Sequence, residues 1–409
     1  MKYQRTRSIV LAAGLLVLGS FLSAPVCSAA GERAAEVRGI WITRWDWRTE
    51  DDVRRAVRWC AALGLNRIFF QVRGRADALY RSSIEPWAEE LGGSDPGFDP
   101  LQAAVEEARD SGVELHAWIN VMPGWKGGSP PQSPDHVFHK HPEWFLVDKR
   151  GHRRLLDESD YTILNPCLPE VRAYLISVVK DLASRYAVSG IQLDYIRFIG
   201  RDVDRGVDFP YDPRTLQLFR KYSGLSPSES PQEWDKWRGL AVDTLVYRIS
   251  EAARKARPGL RVSAAAIQDY TRAQKGLFQD VVKWQENGWI DDVYPMTYHR
   301  DEAKFRLVAQ KAVQAGRGAG GRVVPGIGVY LVDSAQEMAR QIQTARTIGS
   351  GGYCLFAYAN FFPSPSHESK SDERSKSLRA ELRSKLRELN GIPAAARSSQ
   401  VVPSSLPKT

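Results

Sequence analysis

The segment with the clearest chemical potential is 190–198, GIQLDYIRF. Apolar and polar residues alternate along it, as in a β-strand whose successive side chains point to opposite faces, so Gln192 and Asp194 share one face. Asp194 then lies at the carboxyl end of the strand, and Arg197 follows just beyond it. A carboxylate there can act as nucleophile, general base or general acid, and a neighbouring guanidinium favours its ionised form. The alternative is a structural Asp–Arg pair that fixes the loop.

Several other predicted strands also end in polar and aromatic side chains. Each of these residues alone would be explained by core packing, but together they indicate a carbohydrate site. Aromatic faces pack against the C–H surfaces of sugars, and planar polar groups bind hydroxyls in pairs. The predicted substrate-binding residues are Trp41, Gln71, Arg73, His116, Trp118, Asn120, Arg197, Tyr298 and Tyr358.

Glycoside hydrolysis normally uses two carboxylates, so Asp194 requires a catalytic partner. The preferred partners are Asp269, after the fifth predicted strand, and Asp77, after the second. Asp46 and Glu158 are further candidates. Asp291 and Asp292 begin a strand, so they are expected at the opposite end of the sheet. Two carboxylates and a water molecule suffice for this reaction, and we predict no cofactor.

A cluster of histidines, His136, His139 and His141, resembles a metal site. Zinc ligands are usually held at helical spacing or across strands, with supporting hydrogen bonds from neighbouring groups. The segment here is a loop followed by Pro142. We therefore predict a packing or substrate-loop role and no metal, with a metal-dependent hydrolase as a further interpretation.

The elements that must position these residues alternate between short apolar segments and amphipathic ones. The predicted strands are 37–42, 67–72, 114–119, 190–195, 261–266, 292–296, 323–329 and 352–357. The predicted helices are 50–63, 100–111, 169–186, 234–257, 277–286, 302–315, 334–348 and 373–389. This pattern predicts an α/β fold, a (β/α)8 TIM barrel with extended βα loops. No glycine-rich phosphate turn follows the first strand, which argues against a doubly wound sheet.

The ends of the chain differ from the middle in composition. Residues 1–30 combine a basic start, an apolar run and small residues before a cleavage point after Ala30, which predicts a secretory signal peptide. We expect a secreted or periplasmic protein without stable membrane insertion. Lipid anchoring at Cys27 is less favoured, because Val26 is a poor fit to a lipoprotein signal. Residues 31–389 form the predicted barrel domain, and 390–409 form a predicted disordered tail.

The amino-acid composition and net charge restrict the classes of partner that the protein could bind. The 409 residues include 12 Trp and 15 Tyr and carry a net charge of +9. The basic residues are interspersed with acidic ones, and no motif of a nucleic-acid-binding module is present, so we predict no nucleic-acid partner. The charge is equally compatible with an acidic polymer or a cell-surface partner.

Seven short segments occur in the order found in a known family. They are 38–43 (RGIWIT), 70–73 (FQVR), 116–120 (HAWIN), 141–144 (HPEW), 164–166 (LNP), 194–198 (DYIRF) and 292–298 (DVYPMTY). Together they resemble the glycosyl-hydrolase-like 10 family over roughly residues 36–360. The resemblance implies a TIM barrel, a place in the bacterial envelope and glycoside hydrolysis. One branch of that family cleaves peptidoglycan glycan strands stripped of their stem peptides.

The same resemblance implies cleft roles for a subset of the residues above, namely Arg73, His116, Asn120, Asp194 and Tyr298. The sequence departs from a common family form at Gln192, where histidine is frequent, and at Ser189-Gly190, which replaces Asp-Gly. We expect Gln192 to alter substrate preference. The leading hypothesis is a secreted glycoside hydrolase with Asp194 as its principal catalytic carboxylate. The alternative is a non-catalytic carbohydrate-binding barrel of the envelope.

Overall fold

A computed structural model describes residues 35–153, 156–199, 206–365 and 373–393. The predicted signal peptide and most of the predicted tail, 394–409, lie outside these ranges. The strands are β1 (Val37–Ile42), β2 (Arg67–Arg73), β3 (Glu114–Asn120), β4 (Pro123–Gly127), β5 (Asp157–Ile163), β6 (Gly190–Asp194), β7 (Arg261–Ala266), β8 (Asp292–Pro295), β9 (Arg322–Val323), β10 (Gly326–Gly328) and β11 (Gly352–Phe356).

Nine of these strands form one parallel sheet in the order β10-β11-β1-β2-β3-β6-β7-β8-β9. β9 and β10 are two halves of one barrel strand, because β9 pairs with β8 and β10 pairs with β11. The break falls at Pro325, which has no N–H to donate to a neighbouring strand. Counted this way, eight strands close into a ring, and the predicted (β/α)8 barrel is confirmed.

The helices follow the barrel strands as predicted. They are Glu50–Ala62, Pro100–Asp110, Val137–Lys140, Pro169–Arg185, Pro213–Ser223, Pro231–Ala256, Tyr270–Leu277, Val281–Glu286, Glu302–Ala315, Ala335–Thr347 and Glu373–Leu389. One prediction was wrong in detail: the helix expected over 277–286 is replaced by two shorter helices. Phe278 adopts a left-handed conformation, with φ of 56°, and ends the first of them. No helix in the described ranges is both long and apolar enough to cross a membrane.

Two of the βα loops are extended and carry structure of their own. The loop after β3 contains the antiparallel hairpin formed by β4 and β5. The loop after β6 contains the helix Pro213–Ser223. Both loops follow the carboxyl ends of their strands, where TIM-barrel enzymes build their active sites.

Aromatic side chains fill the interior of the barrel. Trp41, Phe69 and Tyr294 pack on one another, with ring centroids 5.6 Å apart for Trp41 and Phe69 and 4.7 Å apart for Phe69 and Tyr294. Gly39 leaves room for this filling, since a Cβ atom there would lie only 2.8 Å from Cys354 Sγ. The barrel is therefore a packed core with access only at its ends.

An ion cluster closes the amino-terminal end of the barrel. The buried Asp292 carboxylate accepts hydrogen bonds from Arg67 (2.7 Å), Arg261 (3.0 Å) and Arg322 (2.9 Å). Burial acts to raise the pKa of Asp292, but the arginine hydrogen bonds and charges outweigh it, and the pKa is lowered. The position at the start of β8 agrees with the stabilising role expected there.

The predicted tail begins at Asn390, and this residue belongs to the folded domain. Its side-chain oxygen accepts a hydrogen bond from the Tyr353 hydroxyl (2.6 Å), and its amide donates to the carbonyl of Leu63 (2.8 Å). These bonds tie the end of the last helix to the barrel. The domain boundary therefore lies beyond Leu389.

Replacing Asp292 by alanine should strongly destabilise the domain. The change leaves the buried Arg67 and the partly exposed Arg261 and Arg322 without the carboxylate that they share, and breaking a buried ion pair in this way costs about 3–5 kcal/mol. Chemical denaturation at neutral pH measures the loss. Because the pKa of Asp292 is lowered in the folded state, the carboxylate's contribution should disappear as the pH falls through its titration. Asp110→Ala, which removes an exposed partner of Arg109, is the control and should change stability little. A similar stability for both variants would contradict this account of the cluster.

Candidate active site

Asp194 ends β6 at the carboxyl-terminal mouth of the barrel, as predicted. Its side chain is only 6% exposed. One carboxylate oxygen accepts a hydrogen bond from the indole N–H of Trp118 (3.2 Å), and the other accepts one from the backbone N–H of Tyr195 (2.7 Å). β3 lies beside β6 in a register that pairs Asn120 with Asp194.

The environment of Asp194 favours its protonated form. Burial raises its pKa, and this effect outweighs the Arg197 charge and the two hydrogen bonds, which lower it. A carboxyl group whose pKa is raised retains its proton closer to neutral pH and can donate it during catalysis. Tyr195, whose N–H contacts the carboxylate, has a φ of 49°, which is uncommon for a residue other than glycine. Such backbone strain concentrates at functional sites.

Arg197 lies just beyond this turn and packs on its neighbour. Its guanidinium carbon is 4.7 Å from the centre of the Tyr195 ring, and Nη1 donates to the carbonyl of Phe198 (3.2 Å). The positive charge acts on the Asp194 carboxylate, where it opposes the effect of burial. Arg197 is therefore placed to tune the proton affinity of Asp194.

An aromatic wall stands beside Asp194, and we define it by Trp41, Trp118, Tyr298, Tyr330 and Phe356. Phe356 is at its centre: the ring of Tyr298 stacks on it at 5.4 Å, and those of Trp41, Tyr330 and Trp118 lie at 5.9, 6.2 and 6.5 Å. Tyr330 is 55% exposed and presents its ring to solvent. The wall offers the flat apolar surface that sugar rings require.

Two glycines of β10 give the aromatic wall its shape. A Cβ atom at Gly326 would lie 3.1 Å from a ring carbon of Tyr298, and one at Gly328 would lie 3.1 Å from the Cβ of Tyr298. Both separations are too short for comfortable packing. The absence of side chains at these two positions therefore allows Tyr298 to lie against the strand.

A polar group beside Asp194 comes from the turn after β1, from β2 and β3, and from the β4–β5 hairpin. The Tyr161 hydroxyl accepts hydrogen bonds from Arg44 (3.3 Å) and Asn120 (3.5 Å), and its ring lies 5.1 Å from that of Tyr195. The side chain of Gln71 accepts a hydrogen bond from the backbone of Arg44 (3.1 Å). The β4–β5 hairpin thus contributes Tyr161 to the barrel mouth.

Gln192 lies beneath this site and does not line it. It is fully buried, and its side-chain oxygen accepts a hydrogen bond from the indole N–H of Trp41 (2.6 Å). Any effect of Gln192 on substrate preference must therefore act through the position of Trp41.

The structure thus brings together Asp194 and six of the predicted binding residues: Trp41, Gln71, Trp118, Asn120, Arg197 and Tyr298. Four residues that the sequence analysis did not select lie with them, namely Arg44, Tyr161, Tyr330 and Phe356. Trp45, beside Arg44, is 41% exposed and offers a further aromatic surface after β1. Of these, Arg44 and Trp45 had a sequence signal, because they directly follow the segment 38–43.

Arg73, predicted to bind substrate, is buried away from the site. The pairing of β2 with β3 shifts between Gln71 and Arg73, a β-bulge that interrupts the two-residue alternation. Arg73 forms an ion pair with Glu85 (2.8 Å) and donates to the backbone carbonyls of Asn120 and Val121. These contacts hold the carboxyl-terminal end of β3 in place from the side that faces away from the site.

His116 faces the barrel interior, as alternation predicts, but at the wrong height for a cleft residue. It pairs in register with Gly190 at the start of β6, and its Nε2 is 3.4 Å from the Glu114 carboxylate. Burial is the main cause that lowers the pKa of His116 to about 4. The residue is therefore a neutral core histidine near the amino-terminal end.

Tyr358 is also absent from the mouth. β11 ends at Phe356, and the chain turns into a short 3₁₀ helix at Tyr358–Asn360, so the alternation does not continue. The Tyr358 ring stacks on Phe362 at 5.1 Å and is buried. Phe356 takes the place that Tyr358 was expected to fill.

The two preferred partners of Asp194, Asp269 and Asp77, each accept a hydrogen bond from the backbone of their own loop. Asp269 is exposed and caps the helix Tyr270–Leu277, where it accepts a hydrogen bond from the backbone of Arg272 (3.0 Å). Asp77 is buried in the loop after β2 and accepts one from the backbone of Arg75 (2.8 Å). Asp46 accepts two hydrogen bonds from Thr43 in the turn after β1, and Glu158 lies exposed on β5.

The three histidines of the loop after β3 each have a separate partner. His136 Nε2 contacts the carbonyl of Arg75 (2.8 Å), and His139 Nε2 contacts that of Pro131 (2.7 Å). His141 stacks on Trp144, with ring centroids 3.8 Å apart. Within the described ranges, no group of three or more potential metal ligands is present.

Comparison with known proteins shows the family to which this chain belongs. The model of a family described as glycosyl hydrolase-like 10 matches residues 36–340. The chain belongs to this family. Glycosyl hydrolase DigH of Escherichia coli K12 is 27% identical over 387 residues, covering 80% of this chain and 83% of DigH. Glycosyl hydrolase YngK of Bacillus subtilis is 25% identical over 331 residues, covering 71% of this chain and 60% of YngK.

Solved structures share the barrel of this glycosyl hydrolase-like 10 protein. The glycoside hydrolase domain of PgaB (BpsB) from Bordetella bronchiseptica aligns with a TM-score of 0.60 at 14% identity, over 85% of this chain and 99% of that one. The catalytic domain of β-amylase from Paenibacillus polymyxa aligns with a TM-score of 0.60 at 12% identity, over 86% and 100%. At this identity the likeness shows the fold. The family and the fold together support a glycosidase-type function.

The raised pKa of Asp194 predicts that ionisation of this carboxyl group lowers the free energy of unfolding of the protein. Because the folded protein binds this proton more tightly than the unfolded chain, stability must fall as the pH rises through the titration of Asp194. Asp194→Asn removes the ionisation, so its free energy of unfolding relative to wild type should increase between acidic and neutral pH. Urea denaturation at a series of pH values measures the difference. An advantage of the variant that is constant with pH would contradict the assignment.

Proposed function

We propose that this protein is a glycoside hydrolase and that Asp194 is its catalytic acid. The observation that carries the proposal is the buried Asp194 carboxyl, whose pKa is raised, beside an aromatic wall at the barrel mouth. Membership of the glycosyl hydrolase-like 10 family supports the same reaction class. The proposal concerns catalysis and substrate, which lie beyond the family assignment.

The geometry gives each group a defined task. A sugar ring packs on the exposed part of the aromatic wall, at Tyr298 and Tyr330, while Tyr161 and Asn120 bind hydroxyls on the opposite side. Asp194 donates its proton to the glycosidic oxygen as the bond from that oxygen to the anomeric carbon breaks. Water supplies the hydroxyl that the anomeric carbon gains, and its released proton restores the acid over the full cycle. Asp269 and Asp77 accept hydrogen bonds from the backbone of their own loops, and we assign neither of them a catalytic role in this proposal.

We further propose a peptidoglycan glycan strand as the substrate. The support is the resemblance of the motifs to a family with a branch that acts on strands stripped of their stem peptides. The net charge of +9 is compatible with the anionic polymers of an envelope. The predicted signal peptide would deliver the protein to that compartment.

Asp194→Asn should abolish the release of reducing ends from peptide-stripped peptidoglycan. The amide cannot donate a proton of comparable acidity, and loss of general acid catalysis typically costs about 10²–10⁴ in rate. The assay compares intact peptidoglycan, stripped strands and neutral polysaccharides, with products identified by mass spectrometry. Folding is checked by circular dichroism and glycan binding by pull-down.

The matched control is Asp269→Asn, which alters an exposed helix-capping carboxylate and should retain most of the activity. Full activity of Asp194→Asn would end the assignment of the catalytic acid. Glycan binding by the wild-type protein without any product would instead support the non-catalytic carbohydrate-binding barrel.

We also propose export with cleavage after Ala30. Expression of the full chain in a bacterial host should yield a periplasmic or secreted protein whose amino terminus, determined by sequencing, is Gly31. An amino terminus at Cys27 that incorporates labelled fatty acid would show lipoprotein processing and contradict the proposed cleavage.

A further inference from the structure

A cavity opens between the loops that follow β2 and β3. It has a volume of about 230 Å³, and we call it the side pocket. Its buried lining includes Asp77, Trp125 and His136, and its outer lining includes Trp87, Glu89 and Gln132. Asp194 and the aromatic wall do not line this pocket. It is therefore distinct from the candidate active site.

A chain of charged side chains joins the side pocket to the mouth. Arg75 packs over Trp125, with its guanidinium carbon 4.4 Å from the ring centre, and donates a hydrogen bond to Glu90 (3.1 Å). Glu90 accepts another from Arg44 (2.7 Å), which contacts Tyr161 at the mouth. These contacts connect the side pocket to the residues at the barrel mouth.

At least one polar atom that lines the side pocket accepts no hydrogen bond from the described residues. Asp77 Oδ1 accepts a hydrogen bond from the backbone of Arg75, and its buried Oδ2 lies 3.5 Å from Arg75 Nε in an ion pair but accepts no hydrogen bond from the described residues. Buried polar atoms almost always have hydrogen-bond partners, so a carboxylate oxygen held only by an ion pair can still accept a hydrogen bond from a ligand. His136 contributes only its ring surface, because its two ring nitrogens already contact the carbonyl of Arg75 and the N–H of Phe138.

The apolar walls complement this acceptor. Trp125 is fixed by a hydrogen bond from its indole N–H to the carbonyl of Ser129 (2.8 Å), so its ring is held in place. Trp87 and three prolines add flat apolar surfaces. Rigid ring faces combined with a carboxylate that accepts hydroxyls are the features of a sugar subsite. The volume is below the range of about 300–1,000 Å³ typical of pockets for larger ligands, which fits a single sugar ring.

We infer that the side pocket binds one pyranose unit of the glycan, away from the bond that is cleaved at Asp194. The inference rests on the proposed function and adds to it a second point of attachment. Asp77, selected from the sequence as a catalytic carboxylate, is then a substrate-binding residue. A long glycan would contact both the aromatic wall and the side pocket, whereas a short one would contact only the wall.

The test compares length-fractionated, peptide-stripped glycan strands as substrates. For wild-type protein, KM should fall as the strands become long enough to reach the side pocket. Trp87→Ala should raise KM for long strands about tenfold, equivalent to about 1.4 kcal/mol, and leave kcat/KM for short strands unchanged. Gln132→Trp, which adds bulk at an exposed position, should give the same pattern without removing a packed residue.

Tyr222→Ala is the matched control, because Tyr222 is a 59% exposed aromatic residue on the helix Pro213–Ser223. It should leave KM unchanged at every length. If both side-pocket variants retain the wild-type dependence on strand length, the inference is overturned while the catalytic proposal stands.

If the wild-type protein cleaves no glycan, the catalytic proposal fails and calorimetric titration with the same strands still tests the pocket. Weaker binding of long strands by both side-pocket variants, with normal binding by Tyr222→Ala, would support the subsite. Equal binding by all variants would overturn it.

Discussion

The burial of one carboxyl group, that of Asp194, determines the protonation behaviour of the candidate active site. Asp194 is enclosed by neighbouring strands and aromatic side chains, and water would otherwise stabilise its negative charge. The Trp118 indole, the Tyr195 amide and the Arg197 guanidinium supply only part of that stabilisation. The surrounding strands must hold these groups in place, because a small displacement would either admit water or remove a hydrogen bond. The packed aromatic interior and the ion cluster at the opposite end provide that rigidity.

Much of the fold and the central residue of the site could be predicted from the sequence. Apolar segments that alternate with amphipathic helices define a (β/α)8 barrel, and alternation within β6 places Asp194 at the mouth. The alternation of side chains along a strand predicts which face of the strand a residue lies on, but it does not predict how far along the barrel axis the residue lies. His116 was therefore predicted on the correct face but at the wrong end of the barrel. It also fails at irregularities: the bulge in β2 redirects Arg73, and the turn after β11 replaces Tyr358 by Phe356.

The remaining site residues depend on contacts between distant parts of the chain. Tyr161 reaches the mouth because the β4–β5 hairpin folds back over β3, and no local pattern in its sequence signals this. Asp269 and Asp77 illustrate the reverse error, since a carboxylate after a strand can equally well cap a helix or hold a loop. The backbone hydrogen bonds that occupy them are visible only once the loops are folded.

The missing side chains at Gly326 and Gly328 have a consequence for the position of the Tyr298 ring. Because Tyr298 lies in the space that they leave, the position of its ring at the barrel mouth depends on the absence of a Cβ atom at both places. Alanine at either place would force Tyr298 and its neighbours to shift by a few tenths of an ångström. The two glycines therefore determine how closely the Tyr298 ring lies against β10.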